Sequence, residues 1–118
     1  MRLANGGNAF EGRVEIWHEG EWGTVCDDDF STVDAQVVCR ELGLPDTEVQ
    51  VADYGQFGEG DGQIWLDGVS CSGSESQLLE CANEGWANNN CGHDEDVGII
   101  CVGKYYIRQF LGQEQGYT

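Results

Sequence analysis

Two runs of acidic residues that lie near cysteines are the first candidates for chemistry. Asp27, Asp28 and Asp29 follow Cys26 directly, and a second run closely follows Cys91 in the segment "CGHDED". Neighbouring carboxylates repel each other, by roughly 1 kcal/mol for a pair at about 4 Å even in bulk water. Such a run therefore either forms a solvated turn, as most charge runs do, or holds a cation. Carboxylate oxygens are ligands that suit calcium or magnesium.

The overall charge limits the classes of partner. The chain of 118 residues has 22 acidic and 5 basic residues, which gives a formal net charge of -17. That charge excludes a protein that binds nucleic acid or an anionic membrane through its own charge. No apolar run approaches the length of a membrane span, and the start does not read as a secretory signal peptide. We expect partners that are cationic, neutral or bridged by a metal, and no membrane insertion.

Catalysis is the competing use of these carboxylates, because acid pairs can hydrolyse glycosides. A glycosidase needs one acid that is kept dry and has a raised pKa, and nothing in these acidic segments indicates one. The chain has no nucleophile motif, and its two histidines, His18 and His93, suggest no Ser-His-Asp set. The sequence favours metal binding over proton transfer, so we predict that the domain is not an enzyme.

The cysteine count predicts a covalent framework. Six cysteines occur in a chain with 18 glycines and 1 proline, at positions 26, 39, 71, 81, 91 and 101. An even number of cysteines in one small domain indicates disulfides and an oxidising, extracellular compartment. Structural zinc is the alternative, but no C-x-x-C pair is present and only His18 and His93 could add ligands. Six cysteines allow fifteen pairings, and spacing alone does not choose among them.

Hydrophobic periodicity predicts a small α+β domain with one helix and long loops. Residues 12–26 alternate around a glycine turn, which is typical of a β-hairpin. We interpret residues 45–62 as a long irregular loop and residues 63–71 as a strand. The segment "SQLLECA" predicts a single helical turn, and residues 97–102 predict a short buried strand.

The helix is the element with the clearest boundaries. Val33, Val37 and other apolar residues fall at helical spacing within residues 31–44, and Ser31 with Asp34 forms a capping box at the start. A glycine and then a proline follow the last apolar positions, as is typical of a helix end. We therefore predict one helix within residues 31–44, which Gly43 and Pro45 bring to an end.

The last segment differs from the rest in composition. Residues 103–118 carry two of the basic residues, a single acid and several aromatic side chains. We expect residues 1–102 to form one domain and residues 103–118 to be a C-terminal extension, a linker or a tag-like tail. The start, "MRLANGG", reads as trimmed, so we expect the domain to be part of a larger multidomain protein.

Five blocks of sequence, in the right order, strongly resemble the scavenger receptor cysteine-rich domain: "GRVEIW", "EWGTVCDD", "DAQVVCRELG", "IWLDGVSCSGSESQLLEC" and "NCGHDEDVGIIC". The resemblance spans about Arg2 to Val102. It implies a curved antiparallel sheet that cradles one helix. It also implies three disulfides, which are Cys26–Cys91, Cys39–Cys101 and Cys71–Cys81. Members with eight cysteines have a further bridge, at positions that correspond here to about Phe10 and Leu44, so this chain resembles the six-cysteine group.

The resemblance also implies where a cation would bind. The Cys26–Cys91 bridge would bring the two acidic runs together, and many family members hold a cation with residues that match Asp27, Asp28 and Glu95. We expect calcium, because it accepts irregular sets of oxygen ligands, and we keep magnesium as the alternative. Two further acids, Asp94 and Asp96, are candidate peripheral ligands, although Asp96 could equally serve a structural role. We expect Asp29 to be simply exposed and His93 to hydrogen-bond beside the site.

Aromatic residues give a second candidate contact region. Residues 14–22 resemble a hairpin segment, "VEVL" followed by tryptophan, that is associated with bacterial recognition in some members. The period-two pattern predicts Val14, Ile16 and Trp22 as core residues on the inner face of the sheet. Trp17 has the opposite parity and Trp86 lies in a polar loop, so we predict both as ligand contacts.

These observations predict a non-catalytic extracellular module that recognises anionic ligands through calcium. The expected ligands are an anionic polysaccharide, a microbial surface or a protein, as in innate-immune scavenging by a secreted protein or a receptor ectodomain. Direct binding of polyanions is disfavoured, because only Arg2, Arg13 and Arg40 precede the tail and Ser70 occupies a place that is often basic in relatives. The alternative is a protein-interaction or regulatory domain of a larger receptor or secreted protease.

Overall fold

The computed structural model describes residues 1–52 and 56–102. Within these residues, six strands form one sheet and a single α-helix packs against it. The elements in chain order are β1 (Arg2–Ala4), β2 (Glu11–His18), β3 (Glu21–Val25), α1 (Thr32–Glu41), β4 (Gln50–Val51), β5 (Ile64–Leu66) and β6 (Gly98–Ile100). Two 3-10 turns, Leu78–Glu80 and His93–Glu95, lie between β5 and β6. The predicted α+β class is confirmed.

The sheet is built around the longest strand, β2. Its strand order is β4-β6-β2-β3-β5, and β1 also pairs with β2. The pairs are antiparallel except for β3 and β5, which run parallel. A parallel pair requires a crossover connection, and here α1 and the long segment after it provide that connection. The sheet is thus rich in antiparallel pairs without being purely antiparallel.

A two-residue turn joins β2 to β3. Its central residues, Glu19 and Gly20, have positive φ angles of 49° and 84°. Two such residues match the right-handed twist of a hairpin, and glycine tolerates this conformation best. The turn sets the register, in which Trp17 pairs with Trp22 and His18 pairs with Glu21. The hairpin predicted for residues 12–26 is therefore present, with its turn at the predicted glycine.

The helix begins at the predicted capping box. The carboxylate of Asp34 accepts hydrogen bonds from the backbone N–H of Ser31 at 2.8 Å and from its hydroxyl at 3.1 Å. The other carboxylate oxygen of Asp34 accepts the N–H of Cys71 at 2.7 Å, so this buried acid ties the helix start to a distant loop. The helix ends at Glu41, two residues before Gly43, which has a φ of 73° and lies where the sequence predicted the stop.

The core lies between the sheet and the helix. The buried apolar residues include Val14 and Ile16 from β2 and Val37 and Val38 from α1. Leu78, from the first 3-10 turn, closes one end of this core. Because the apolar side chains of β2 meet the helix, the opposite face of the hairpin is left to polar and aromatic residues. No helix in the described part of the chain is long and apolar enough to cross a membrane.

Three disulfides fix the loops to this core, in the pairing that the resemblance implies: Cys26–Cys91, Cys39–Cys101 and Cys71–Cys81. The second of them joins α1 to the segment just after β6. Phe10 and Leu44 occupy the positions of the additional bridge in eight-cysteine relatives. Both form backbone hydrogen bonds with the cysteines of the Cys39–Cys101 disulfide, because Phe10 O accepts the N–H of Cys101 and Leu44 N–H donates to Cys39 O.

Three short strands differ from the sequence prediction. The segment 45–62, predicted as an irregular loop, contains β4, which pairs with β6. The strand predicted over residues 63–71 is shorter, because β5 covers only Ile64–Leu66. β1 was not predicted at all. Strands of two or three residues carry too little periodicity to be recognised, and their existence depends on the partner strand.

Candidate functional site

Backbone pairing brings the two acidic runs side by side. Cys26 and Asp96 face each other as an isolated antiparallel bridge just beyond β3. On one side of it, the N–H of Val97 donates to Val25 O at 2.8 Å. On the other side, the N–H of Asp27 donates to Glu95 O at 2.8 Å. These bonds fix the acidic segment after β3 against the acidic segment before β6.

A disulfide and a tight turn hold the second acidic run in place. Cys91 is bonded to Cys26 with a Cα–Cα distance of 6.3 Å, which anchors the start of the run. The 3-10 turn His93–Glu95 follows directly, and the Glu95 carboxylate accepts the N–H of Gly92 at 3.2 Å. The turn therefore folds the side chain of Glu95 back toward the disulfide.

The three predicted ligands meet at this junction. Carboxylate oxygens of Asp27, Asp28 and Glu95 all lie within 4.8 Å of one another. Asp28 is exposed, and the other two are half-buried. Two oxygens that share one calcium ion can be up to about 5 Å apart, because each calcium–oxygen distance is about 2.5 Å. We call these three residues the carboxylate cluster, and their spacing fits a single shared cation.

The negative charge of the acidic runs makes ionisation of Asp27 harder. The pKa of Asp27 is raised above its ordinary value, first by partial burial and then by the negative charge of Asp28. A backbone hydrogen bond opposes this shift, while the charges of Asp94 and Asp67 add to it. Ionising Asp27 beside its acidic neighbours is therefore unfavourable unless a positive charge is present.

The remaining acids of the two runs have other surroundings. Asp29 is exposed and has a positive φ of 64° in the turn that Phe30 N–H closes on Asp27 O. Asp94 is exposed, and its charge acts on Asp27. The side chain of Asp96 is fully buried. One of its oxygens accepts the N–H of Gly60 at 2.7 Å, which favours the structural alternative for this residue.

His93 connects the site to the long segment before β5. Its Nδ1 lies 2.8 Å from the Asp96 carboxylate, and its Nε2 lies 2.9 Å from the carbonyl oxygen of Gly62. Burial alone would lower the pKa of His93. The hydrogen bonds to Asp96 and Gly62, together with the charges of Asp96 and Glu59, outweigh burial and raise that pKa above its ordinary value. His93 therefore takes the hydrogen-bonding position expected for it.

The sequence reasoning missed one acid, Asp67. Its side chain directly follows β5 and is buried, with 7% of its surface exposed, yet its Oδ1 has no hydrogen-bond partner among the described residues. A carboxylate oxygen of Asp67 also lies within 4.8 Å of one from Asp28. The signal was present in "IWLDG", where an acid follows three strand residues without a break.

A polar pocket opens beside the carboxylate cluster. It has a volume of about 420 Å³, and its lining is dominated by carboxylates and amides. The lining residues are Asp28, Asp29, Asp67, Gly68, Glu84, Asn88, Asn89 and Asn90. Asp28 thus belongs both to the cluster and to the pocket, so a ligand in the pocket would lie next to any cation on the cluster.

The described arginines are all engaged with carboxylates. Arg2 and Arg13 both pair with the buried Glu15, at 2.7 Å and 3.0 Å. Arg40 pairs with Asp46 at 3.2 Å. Residues 1–52 and 56–102 therefore offer no unpaired arginine to a negatively charged ligand.

Trp22 does not lie where the sequence prediction placed it. It is half-buried and pairs across the hairpin with Trp17, on the face opposite Val14 and Ile16. The prediction of a core position for Trp22 was therefore wrong, because the two-residue turn gives Trp22 the same side as Trp17. The two rings meet edge to face with centroids 5.4 Å apart, and the guanidinium of Arg2 lies 4.1 Å from the Trp22 ring centroid.

The two predicted contact tryptophans are exposed on different sides of the hairpin. Trp17 exposes 55% of its surface and Trp86 exposes 40%. Trp86 stacks on His18, with centroids 3.5 Å apart and planes inclined by 5°, and Trp65 lies edge-on beneath both rings. His18 is on the face opposite Trp17, so these tryptophans do not form one continuous platform. His18, expected to be merely at the surface, instead supports Trp86.

Comparison with known proteins identifies the family. A family model described as "Scavenger receptor cysteine-rich domain" matches residues 4–102. The chain belongs to this family. The scavenger receptor cysteine-rich (SRCR) domain is a non-catalytic module, commonly found as a ligand-binding part of receptors and secreted proteins. SRCR domains are extracellular or belong to ectodomains.

Solved structures of SRCR domains share this fold. The third SRCR domain of murine neurotrypsin superposes with a TM-score of 0.77 at 43% identity, over 85% of this chain and 92% of that one. The SRCR domain of mouse MARCO, solved in a dimeric form, gives a TM-score of 0.71 at 42% identity, over 86% of this chain and 94% of that one.

Curated relatives place the SRCR domain within longer proteins. Human lysyl oxidase homolog 3 is 52% identical over 92 residues, which is 78% of this chain and 12% of that protein. Lysyl oxidase homolog 2 of Xenopus tropicalis is 53% identical over 91 residues, 77% of this chain and 12% of that protein. The chain thus spans about an eighth of the length of these relatives, and the match covers the SRCR domain alone.

Proposed function

We propose that this SRCR domain is an extracellular recognition module that binds anionic groups of microbial or host ligands through a calcium ion. The observation that carries the proposal is the convergence of Asp27, Asp28 and Glu95, whose carboxylate oxygens lie within 4.8 Å of one another. These residues come from two segments that a disulfide and backbone hydrogen bonds hold together.

The arginine pairing supports a role for a cation in ligand binding. A protein with a net charge of -17 repels an anionic ligand. Arg2, Arg13 and Arg40 cannot offset this repulsion, because each is already paired with a carboxylate. A calcium ion on the carboxylate cluster would supply the missing positive charge and leave coordination positions for anionic oxygens of the ligand.

The cluster fits calcium better than the alternative, magnesium. Magnesium requires near-octahedral ligands at about 2.0–2.1 Å, whereas calcium accepts irregular sets at about 2.3–2.6 Å. Asp27 and Glu95 are half-buried on adjacent backbone segments and Asp28 is an exposed turn residue, so the three ligands have unequal surroundings, which an irregular calcium site tolerates. Asp67, buried beside Asp28 with an unsatisfied oxygen, adds negative charge on the pocket side.

Calorimetry on matched variants tests the metal site. We expect wild-type protein to bind calcium, and Asp28→Asn and Glu95→Gln each to weaken binding at least tenfold, equivalent to about 1.4 kcal/mol. Asp29→Asn is the control, because Asp29 lies in the same turn but outside the cluster, and we expect it to bind calcium like wild type. Unchanged calcium affinity in both cluster variants would reject the site.

A second experiment tests the ligand class. A sulfated polysaccharide such as dextran sulfate should bind in calcium and be released by EDTA, since each arginine of the described residues, 1–52 and 56–102, is already paired with a carboxylate. Uncharged dextran is the matched control. Binding of the sulfated polymer that survives EDTA, or equal binding of uncharged dextran, would contradict a cation-bridged mechanism.

A role as an interaction or regulatory domain of a larger extracellular protein is the second candidate. This role is favoured because the match covers only 12% of lysyl oxidase homologs 3 and 2, so the domain is a small part of those proteins. In that role the SRCR domain would bind a protein partner on behalf of an active centre outside residues 4–102. The test compares the activity of the parent protein with and without this domain on a large and a small substrate. If the domain recruits a large protein substrate, its removal should lower activity on the large substrate more. An equal change on both substrates would count against this role.

A further inference from the structure

A segment that precedes β5 crosses the face of the sheet that points away from the helix. Thr24 alternates with the core residue Val25 along β3, so its side chain lies on that opposite face, and yet it is fully buried. Gly60 provides part of the cover, because a Cβ added to Gly60 would stand 2.5 Å from Thr24 Cγ2. We call residues 57–62 the strap.

The start of the strap is anchored on the sheet by Phe57. The carbonyl oxygen of Phe57 accepts hydrogen bonds from Arg13 Nη1 at 2.8 Å and from Asn5 Nδ2 at 2.9 Å. Its ring is buried and lies against Gly98 of β6, where an added Cβ would stand 2.5 Å from Phe57 Cδ2. Polar and apolar contacts therefore hold this end of the strap in place.

The other end of the strap is bonded to the 3-10 turn of the second acidic run. Asp96 Oδ2 accepts the N–H of Gly60 at 2.7 Å, and the same oxygen lies 2.8 Å from His93 Nδ1. His93 Nε2 in turn lies 2.9 Å from the carbonyl oxygen of Gly62. The strap and the turn thus share a closed ring of hydrogen bonds.

Glu95 lies between the two turn residues that form this ring. Side chains three residues apart eclipse each other in a 3-10 turn, so the contact between His93 and Asp96 braces the turn across Glu95. The backbone of Glu95 is bonded to Asp27, and its carboxylate belongs to the carboxylate cluster. Hydrogen-bond geometry within short 3-10 turns is poor, so the bonds to the strap add rigidity where the cluster needs it.

We propose that the strap positions Glu95 for calcium, with Asp96 and His93 as the positioning residues that connect the two. The strap and Asp96 both lie outside the carboxylate cluster, so they act through geometry rather than ligation. Groups that hold a metal ligand in place commonly change metal affinity by about tenfold or more. The inference rests on the calcium site of the proposed function.

A pair of substitutions beneath the strap tests the inference by calorimetry with calcium alone. Gly60→Ala places a methyl group against Thr24 Cγ2 and should displace the strap, which should weaken calcium binding about tenfold. Thr24→Ser removes the opposing methyl group, so the double variant should recover to within about threefold of wild type. Glu59→Gln is the control, because Glu59 is an exposed residue of the same strap, and it should stay within about twofold of wild type.

Two substitutions of Asp96 separate geometry from charge. Asp96→Asn keeps an oxygen that can accept from Gly60 and His93, and calcium affinity should stay within about threefold of wild type. Asp96→Ala removes that oxygen and should weaken calcium binding about tenfold. Should Asp96→Ala fail to fold in circular dichroism, the Gly60 and Thr24 variants still decide the question.

Two further measurements detect the position of Glu95 itself. Terbium can replace calcium, and its luminescence decay in H₂O and D₂O counts the waters on the bound ion. Gly60→Ala should add about one water, because Glu95 no longer completes the coordination, and Thr24→Ser should remove it again. In EDTA, the amide of Asp27, which donates to Glu95 O, should exchange faster in Gly60→Ala than in wild type.

The outcomes distinguish this inference from the proposed function. If wild type binds calcium and Gly60→Ala binds it equally well, the strap has no positioning role and the calcium site stands. Equal losses in Asp96→Asn and Asp96→Ala would mean that Asp96 acts through its charge, which would also overturn the inference. A Gly60→Ala defect that Thr24→Ser does not relieve would exclude the strap contact as its cause. Absence of calcium binding by wild type would reject the site and the inference together.

Discussion

The backbone N–H of Asp27 donates to the carbonyl oxygen of Glu95 at 2.8 Å. This bond joins a residue that follows β3 to one that precedes β6, and the Cys26–Cys91 disulfide reinforces it. The side chains of the two residues consequently share the carboxylate cluster. The proximity of these two carboxylates is built into the fold, because neither residue can move away without breaking a backbone pairing.

The raised pKa of Asp27 predicts how calcium and protons compete. Without calcium, Asp27 in the folded protein should keep its proton to a higher pH than in the unfolded chain. Its contribution to stability is therefore fully present below the unfolded pKa, about 3.9, and is lost as the pH rises through the raised folded pKa. Calcium should reverse this shift, because it favours the ionised form.

A carboxyl NMR titration with and without calcium measures that competition. The titration midpoint of Asp27 should move to lower pH when calcium is added, whereas that of Glu75, which lies outside the cluster, should not move. If the midpoint of Asp27 is the same in both conditions, Asp27 is not a ligand, even if calcium binds elsewhere.

Glu75 is predicted to titrate far below other glutamates. Its pKa is lowered to about 2, chiefly by the hydrogen bond from the Ser72 N–H, with further help from backbone N–H groups including that of Gly73. A lowered folded pKa means that its stabilisation of the loop is present above the unfolded pKa and is lost as the pH falls toward 2. Amide exchange at Ser72 and Gly73 should accelerate over that range. In Glu75→Gln the acceleration should disappear, and a Glu75 midpoint near 4 would contradict the hydrogen-bonded loop.

Removal of disulfides should destabilise the domain according to the length of the loop that each one closes. Cys39–Cys101 spans a sequence separation of 62, whereas Cys71–Cys81 spans 10. In the chain-entropy model these bridges contribute about 4 and about 3 kcal/mol. Replacing each pair by alanines and measuring urea unfolding should give losses in that order. A larger loss for Cys71–Cys81 would mean that the long-loop bridge is offset by strain or by residual structure in the unfolded chain.

The ion pairs of Glu15 should contribute strongly to stability. Glu15 is buried and holds both Arg2 and Arg13, and Arg13 is itself largely buried. Glu15→Ala would leave a buried guanidinium without its carboxylate, at a cost of about 3 kcal/mol. Arg2→Ala should cost only about 1 kcal/mol, because Arg2 is half-exposed and Glu15 keeps Arg13. Denaturant unfolding of both variants checks the ranking, and equal losses would show that the buried pair is not the dominant contact.

The helix and the hairpin could be predicted from sequence because their signals are local. The Ser31 and Asp34 capping box and the glycine in the β2–β3 turn are each contained within a few residues. The position of Trp22 depended instead on register. Counting by twos from Val14 ignores the turn, whereas pairing across a two-residue turn places Trp22 opposite Trp17. A two-residue turn at Glu19 and Gly20 is what puts Trp22 on the same side as Trp17.

The cluster could be predicted only with help from the family resemblance. Spacing alone left fifteen possible disulfide pairings, and the meeting of Asp27 with Glu95 depends on one of them. Asp67 was missed because its importance arises from a buried oxygen without a partner, which is a property of the folded surroundings. β1 and β4 were missed for a similar reason, since each exists only through its partner strand.

The neighbouring residues Glu95 and Asp96 send identical functional groups to opposite sides of one backbone segment. Glu95 joins the carboxylate cluster, while the fully buried side chain of Asp96 binds the N–H of Gly60. Deleting one residue between Cys91 and Val97 would shift Glu95 and Asp96 out of the pairings with Asp27 and Cys26 that position them. The length of this segment should thus matter as much as its residues, because one added or missing residue would separate Glu95 from the carboxylate cluster.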